Sequence, residues 1–392
     1  MAVTSGATPQ QPAKRSFNRE WLIGYLFIFP AVVIIFLFGF FPIGYALYMS
    51  LFRWRVRQGS FIGFSHYQDV LGSVWGGLLF LAGLLSFILV HRLWTSSRKN
   101  CRVGAVALLT ASLSGLIIGW NAMIGTGDGD FLASLVRTLF YAFLSIPVQI
   151  ALSLIIAYLL YHNIRGREFF RMIFFLPYIT PVVASAIVFR SIFSQREEAL
   201  ANQVLGWFGI APQRWLFEPK PVLELLFGGQ ITALNTWLTN SGTNFQLEGL
   251  WLGPSLSLVV LIIYGIWTFT GYNVVIFLAG LGNIPRQLYE AADLDGANGV
   301  QKFWTITVPL LSPVTFYLTL LGFIGALQAF TQLYVMRQPS ARDSLDTSSL
   351  VIFDTFYQSN NFSLAAAQSI LLFIFILAIT LIQNRVLKGQ EE

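Results

Sequence analysis

Charged side chains are scarce in this sequence. Only 11% of its 392 residues are Asp, Glu, Lys or Arg, and 55% are hydrophobic, whereas roughly 25% of an ordinary soluble domain is charged. A soluble chain of this length would need a charged surface, but here the charges lie in short intervals between apolar runs. The composition therefore argues against a soluble globular protein and predicts an integral membrane protein.

Cysteine and histidine are also nearly missing. Cys101 is the single cysteine, which excludes an internal disulfide and any site with several cysteine ligands. With only three histidines besides, we expect no metal site. The formal net charge is +6, but the basic residues are spread over the intervals and do not form one stripe. That distribution argues against nucleic-acid binding and favours contact with anionic membrane lipid.

Long apolar runs dominate what is present. A helix needs roughly 20 mostly apolar residues to cross the hydrocarbon core, and runs this long without alternation exclude barrel strands. We therefore predict an all-α fold, a polytopic membrane helix bundle of about eight transmembrane helices. The predicted spans are 22–50, 74–92, 103–124, 132–161, 172–193, 255–280, 310–336 and 363–384.

The distribution of Lys and Arg predicts the orientation, because basic residues in short loops stay in the cytoplasm. They precede the first span, separate the second from the third, and follow the fourth and the last. Arg53, Arg55 and Arg57 fall on the opposite side and disagree. On balance, an even number of spans places both termini in the cytoplasm. Residues 1–20 then form a cytoplasmic tail, and the run after them resembles an anchor more than a cleaved signal.

The interval 281–313 carries the most specific pattern. Pro285 suits the first turn of a helix, and Ala291 and Ala292, flanked by acidic residues, allow another molecule to approach closely. Gly296 permits a turn, after which apolar residues recur at helical spacing and lead back to the membrane. The segment therefore predicts a helix, a turn and a second helix, which could also be only an amphipathic loop at the membrane surface.

Its residues resemble the EAA loop of permease subunits in binding-protein-dependent ABC importers. The resemblance is carried by Glu290, Ala291 and Ala292, then Gly296, and finally Ile306, Pro309 and Pro313. The form with Leu-Tyr-Glu-Ala-Ala and Asp-Gly-Ala resembles the carbohydrate branch, similar to the first maltose-type permease component. The resemblance extends over roughly 20–70 and 131–388, whereas 71–130 departs from the family pattern.

This resemblance implies a division of the chain. The cytoplasmic tail would be 1–20, and the first transmembrane helix with an outer loop would be 21–70. Two additional spans would form an inserted transmembrane hairpin at 71–130, for which we have no functional account. The six-helix permease core would be completed by 131–392, with the EAA loop at 281–313.

The resemblance also implies roles for the EAA loop residues. Glu290 would contact a basic or amide group of a cytoplasmic ATPase, Ala291 and Ala292 would allow close seating, and Gly296 would allow the turn. Asp293 and Asp295 would be charges at the rim of that contact.

The sequence contains no GxxxxGK[ST] loop. We therefore expect no cofactor on this chain and no enzymatic activity, with ATP and Mg²⁺ bound by a separate ATPase dimer. The other expected partners are a second homologous permease, an extracytoplasmic solute-binding protein and membrane lipid, and the expected location is the cytoplasmic (inner) membrane of a prokaryote.

A sugar site inside a membrane needs polar side chains next to aromatic faces. The sixth span offers Tyr272 and Asn273, and Tyr272 aligns with a tyrosine that faces sugar in the maltose-type subunit. The seventh span offers Gln328, Phe330, Thr331 and Gln332. We predict that these six residues line the substrate path, although each polar side chain could instead form a hydrogen bond between helices.

Other functions remain open from the sequence alone. An ion-coupled secondary carrier usually needs ionisable residues near the middle of the bilayer, whereas Arg137 and Arg190 lie near predicted span ends. A non-transporting membrane scaffold is favoured only by the unexplained hairpin at 71–130, and an enzyme is the least favoured because no catalytic constellation is visible among the loops. The outer loop 194–254 could be a compact cap or a docking surface. The sequence does not determine which sugar is carried, nor whether the substrate site lies in this subunit or in its partner.

Overall fold

The computed structural model describes residues 19–94, 99–161, 165–241 and 249–388. These residues form a bundle of α-helices with one short β-hairpin. Among them, five single helices are long and apolar enough to cross a membrane, and three bent helix pairs raise that number to eight. The predicted all-α membrane bundle is therefore confirmed, whereas the predicted tail 1–20 lies outside the described residues except for its last two.

The helices are numbered in chain order. The first eight are α1 (Arg19–Ile35), α2 (Phe41–Ser50), α3 (Ser65–Leu71), α4 (Val74–Trp94), α5 (Lys99–Thr126), α6 (Gly129–Tyr161), α7 (Arg167–Ile179) and α8 (Val182–Ile192). The next six are α9 (Leu200–Trp207), α10 (Val222–Asn240), α11 (Leu256–Gly282), α12 (Arg286–Leu294), α13 (Gly299–Lys302) and α14 (Val308–Leu310). The last five are α15 (Ser312–Leu327), α16 (Thr331–Met336), α17 (Arg342–Leu345), α18 (Ser348–Tyr357) and α19 (Phe362–Lys388).

The first span runs continuously over Trp21–Ser50. A π-helical turn, Phe36–Phe40, joins α1 to α2, and the Phe41 amide donates to the Phe36 carbonyl. Pro42 follows directly, and since it has no N–H the regular ladder cannot continue through it. After this span the strands β1 (Phe52–Trp54) and β2 (Gln58–Phe61) pair antiparallel, a hairpin that the sequence analysis did not predict.

Two of the predicted spans are not single straight helices. The span predicted at 172–193 is divided between α7 and α8, which are bent by 95°. Thr180 lies before Pro181 and is extended, with φ −63° and ψ 133°, because proline disfavours helical backbone in the residue before it. The span predicted at 310–336 is wrong as one helix, since α15 ends at Leu327 and α16 begins only at Thr331.

The helices α4 and α5, within the predicted insertion 71–130, form a tight antiparallel hairpin. Glycines allow the close contact: a Cβ at Gly119 would lie 2.6 Å from the Gly76 carbonyl oxygen, and one at Gly83 would lie 2.9 Å from that of Ser112. The two ends of the hairpin meet, because the Asp128 amide donates to the Val70 carbonyl at 3.1 Å. The chain therefore leaves and rejoins the bundle at one point.

The centre of the bundle is formed by α11, which packs against α6, α7 and α15. Its core residues include Leu258, Tyr264 and Leu281, which are almost fully buried. The contact with α7 depends on Gly271, because a Cβ there would lie 1.8 Å from the Phe174 carbonyl oxygen. That crossing brings the end of α7 next to the middle of α11.

Candidate functional site

A cavity of about 170 Å³ lies between α6, α7, α11, α15 and α16. Three of the six predicted path residues, Tyr272, Asn273 and Gln332, line it together. Among the described residues, those that line the cavity include no Asp, Glu, Lys or Arg. The cavity is thus an uncharged site with polar groups inside the membrane bundle.

Aromatic rings form one wall of this cavity. The rings of Tyr178 and Tyr272 are stacked, with centroids 4.8 Å apart and planes 29° apart. Phe269 is a neighbour, with its centroid 6.1 Å from that of Tyr178. The absence of a side chain at Gly271 allows this arrangement, because it lets α7 approach α11 within backbone contact distance.

Amide side chains supply the polar groups. Gln149 and Asn273 are only 3% and 6% exposed, and both line the cavity with Gln332. The Gln332 side chain interacts with the phenol of Tyr141. Within the described part of the chain, the side-chain amides of Gln149 and Asn273 have no hydrogen-bond partner, so they can bind a solute that offers hydroxyl groups.

Tyr141, Gln149 and Tyr178 are among the cavity residues that were not predicted from the sequence. A signal for the first two was present, because small and polar residues recur every three or four positions along α6, which places them on one face. That buried stripe consists of Ser134, Thr138, Tyr141, Ser145, Gln149 and Ser153. Tyr178 has no comparable signal, since only the bend at Pro181 and the crossing at Gly271 bring it to the cavity.

The other predicted path residues lie elsewhere. Gln328 and Phe330 line a separate, mostly apolar groove of about 610 Å³ between α2, α18 and α19. Thr331 is exposed and belongs to neither lining. The break between α15 and α16 is the cause, because Ala329 faces the cavity while its two neighbours face the groove. A role for these three residues in the path stays a prediction.

The helix, turn and helix predicted within 281–313 are present as α12 and α13. Gly296 has φ +75°, the left-handed conformation that glycine adopts without strain. The Ala297 amide donates to the Ala292 carbonyl at 2.9 Å, and the Gly296 amide donates to the Asp293 carbonyl at 3.1 Å. These two bonds form a Schellman-type end of α12 that satisfies its last carbonyls.

Side-chain contacts hold α12 against the returning part of the same segment. The Tyr289 hydroxyl lies 2.9 Å from the Thr307 hydroxyl, and Asp293 forms an ion pair with Lys302. Asn298 and Gln301 form a capping box at the start of α13. The predicted rim charge Asp293 is therefore engaged within the loop itself.

The opposite face of α12 is open. Glu290, Ala291 and Asp295 are exposed, while Ala292 is half-buried. Within the described residues Glu290 forms no ion pair, and Leu294, four residues later on the same helical face, is 91% exposed. Val300 and Trp304 extend this apolar exposure, and exposed apolar residues beside a free carboxylate are typical of a surface that contacts another protein.

Comparison with known proteins agrees with this architecture. Residues 149–389 match the protein family described as the binding-protein-dependent transport system inner membrane component. The chain belongs to this family. The matched region begins in α6 and includes both the cavity residues from Gln149 to Gln332 and the segment 281–313, whereas α1–α5 lie before it.

Curated relatives are permeases. The chain is 31% identical over 270 residues to the arabinooligosaccharides transport system permease protein AraP of Bacillus subtilis, covering 68% of this chain and 74% of that one. It is 30% identical over 325 residues to the lactose transport system permease protein LacF of Rhizobium radiobacter, covering 81% and 94%.

A solved structure has the same fold. It is that of a bacterial ABC transporter involved in the import of the acidic polysaccharide alginate, with a TM-score of 0.61, 20% identity and coverage of 95% of this chain and 96% of that one. A second structure of a bacterial alginate ABC transporter contains an alginate pentasaccharide-bound periplasmic protein, and it matches with a TM-score of 0.61 and 18% identity. At these identities the likeness shows the fold alone.

Proposed function

We propose that this chain is the transmembrane permease subunit of an ATP-driven importer, and that it carries a sugar or a related solute across the cytoplasmic membrane. The observation that carries this proposal is the uncharged cavity with two stacked tyrosines and three amides. A sugar presents hydroxyl groups and apolar C–H faces, which suit amides and aromatic rings respectively. The names of the relatives, which include an arabino-oligosaccharide and a lactose permease, point to the same class of solute.

Gln149, Asn273 and Gln332 would bind hydroxyl groups, while Tyr178 and Tyr272 would cover one apolar face of the ring. The amides would then exchange hydrogen bonds with the solute instead of with water. An ion-coupled carrier is the less supported alternative, because the described lining offers no carboxylate that could bind a proton or cation.

ATP hydrolysis would be coupled to transport through α12. Its free face would seat on a separate ATPase dimer, which would bind ATP and Mg²⁺, so that this chain itself holds no cofactor. Glu290 would pair with a basic or amide group there, and the small Ala291 would allow close contact. Closure of the ATPases would then move the bundle as a rigid body between outward and inward access.

The complete importer would contain a second homologous permease and an extracytoplasmic solute-binding protein. Both termini of this chain and the EAA loop would lie in the cytoplasm, with α4 and α5 forming an inserted hairpin. This placement follows the predicted spans and the excess of basic residues in their cytoplasmic loops.

Reconstitution tests the proposal directly. We would purify the chain with its native partners, insert the complex in liposomes and measure uptake of labelled lactose and arabinotriose with ATP inside or outside. Uptake that requires ATP on the ATPase side is expected. Uptake driven by a proton or sodium gradient without ATP would instead establish a secondary carrier.

A further inference from the structure

The short helix α16 is detached from the long helix before it. It has six residues, and Gln328, Ala329 and Phe330 separate it from α15. Because Gln332 lies on α16 and lines the cavity, the position of this polar group depends on what holds α16. Packing against α8 buries Leu333 and Met336 on one side of the helix.

Charged residues gather where α16 ends. Arg337 is the first residue after it, and its guanidinium contacts Asp354 of α18 at 2.5 Å and also pairs with Asp346. Arg342 of α17 pairs with the same two carboxylates. We call these four residues the Arg337 cluster; its two positive and two negative charges balance.

Hydrogen bonds connect the cluster to α6. The Arg137 side chain of α6 donates to the Asp346 backbone carbonyl at 3.0 Å. Two residues later, the Ser348 amide donates to the Thr138 hydroxyl at 3.0 Å. The helices α6, α16, α17 and α18 therefore meet at one point, beyond the cavity along α16.

Because these ion pairs are buried, they favour one arrangement of the helices that carry them. The side chains of Arg337, Asp346 and Asp354 are only 11%, 8% and 13% exposed. Burial alone would raise the pKa of the Asp354 carboxyl, but hydrogen bonds from Arg337 and Arg342 outweigh it and hold that pKa below its ordinary value. Apolar side chains of similar volume are often as stabilising as a buried ion pair, which makes the pairs better suited to specify an arrangement than to add stability.

The incomplete hydrogen bonding of the Arg337 cluster also favours a role in specifying an arrangement over a role in adding stability. Within the described residues, Arg337 Nε and Asp346 Oδ1 are buried without a hydrogen-bond partner. Unpaired buried polar atoms are costly, so the cluster adds less stability than a fully hydrogen-bonded network would.

We propose that Arg337 is a positioning residue: the Arg337 cluster holds α16, and with it Gln332, beside the cavity. The binding of a solute in the cavity rests on the proposed function, whereas the positioning of α16 does not. Releasing the cluster lets α16 move away from α6 and opens the cavity at Ala329 and Gln332. Arg337 itself does not touch the solute.

Thiol accessibility tests this role without knowledge of the solute. In the complete complex in lipid nanodiscs, Cys101→Ser removes the single native cysteine, and Ala329→Cys places a reporter in the cavity lining. The labelling rate with a membrane-impermeant methanethiosulfonate is measured. We expect Arg337→Gln to raise this rate about tenfold, as for a local opening of modest cost. Arg337→Lys keeps the charge but not the bidentate contact with Asp354, so its rate should fall between those of the Gln variant and the native complex.

The matched control is Arg57→Gln, which removes an exposed arginine that has no ion pair within the described residues and should leave the rate unchanged. Equal rates for Arg337→Gln and the native complex, or equal rates for the Lys and Gln variants, would overturn the positioning role. Should Arg337→Gln not fold, Arg342→Gln replaces it, because Arg342 is 45% exposed and pairs with the same carboxylates.

Protection by lactose is a separate readout for the solute path. If lactose and arabinotriose fail to slow labelling while Arg337→Gln still accelerates it, the solute path is contradicted and the positioning role stands. If sugars protect the reporter equally in all variants and the rates do not differ, the solute path stands and the positioning role fails.

Discussion

Among single residues, Gly296 has the clearest conformational requirement. Its φ of +75° closes α12, and a side chain in this left-handed region costs about 1–2 kcal/mol. No neighbouring atom lies within 4 Å of a Cβ built there, so strain in the backbone would be the main effect of an added methyl group. A substitution at Gly296 therefore tests the backbone conformation without disturbing the packing of other side chains.

We expect Gly296→Ala to uncouple the ATPase from transport, because the turn after α12 would shift and Glu290 would be misplaced. Solute-stimulated ATP hydrolysis in the reconstituted complex should fall about fivefold to tenfold, the effect of roughly 1–1.4 kcal/mol. Gly299→Ala is the matched control, since Gly299 also has open space around it but is not among the positive-φ glycines. A similar loss in both variants would contradict the requirement for a left-handed residue.

Gln149 is the cavity residue whose role is most easily isolated. Gln149→Met keeps the length of the side chain and removes its hydrogen bonds, so the KM for lactose or arabinotriose uptake should rise about fivefold to tenfold, as for one lost hydrogen bond of about 1 kcal/mol. Leu152→Met on the exposed side of the same helix should not change KM. Unchanged KM in Gln149→Met would remove this amide from the solute path.

At the level of elements, the crossing of α7 and α11 decides the shape of the site. Gly271→Ala would place a Cβ 1.8 Å from the Phe174 carbonyl oxygen, which forces the helices apart, and overpacking of this kind costs about 1–3 kcal/mol. We expect a lower thermal unfolding midpoint together with reduced uptake, since the Tyr178–Tyr272 stack would separate.

Gly282→Ala, near the end of the same helix, is the control, because no atom lies within 4 Å of its Cβ position. Its unfolding midpoint should match that of the native chain. A native midpoint and native uptake in Gly271→Ala would show that the crossing tolerates a wider separation than the structure indicates.

In the whole molecule, the hairpin of α4 and α5 is the part that has few contacts with the rest of the bundle. Its ends meet at Val70 and Asp128, and a Cβ at Gly72 would lie 2.5 Å from the Gly127 amide nitrogen. Its two helices contact each other far more than they contact the rest of the bundle. A unit attached at one point can be removed without straining the remaining backbone.

Deletion of residues 73–126 with Gly72 joined directly to Gly127 should therefore leave a folded core. We expect monodisperse elution in mild detergent and retained assembly with the partner subunits, measured by size-exclusion chromatography and co-purification. A deletion of the same length that begins inside α6 should abolish both. Aggregation of the hairpin deletion would show that α4 and α5 are needed to complete the core.

The sequence by itself determined the membrane bundle, most of the approximate spans and the helix, turn and helix within 281–313. These features are local: hydropathy is read over about 20 residues, and Gly296 with its alanines lies within one short segment. The stripe of small and polar residues that contains Gln149 is local as well, so the spacing along α6 could have predicted it.

Only the tertiary structure decided which polar residues share a cavity. The break after Leu327 turns neighbouring side chains to different sides, so Gln332 reaches the cavity while Gln328 reaches the groove. Tyr178 joins Tyr272 only because Gly271 admits the backbone of α7. Likewise Arg337, just after α16, meets Asp354 of α18. Such contacts depend on how helices cross, and helix crossing is set by packing between distant segments, which local hydropathy and spacing do not encode.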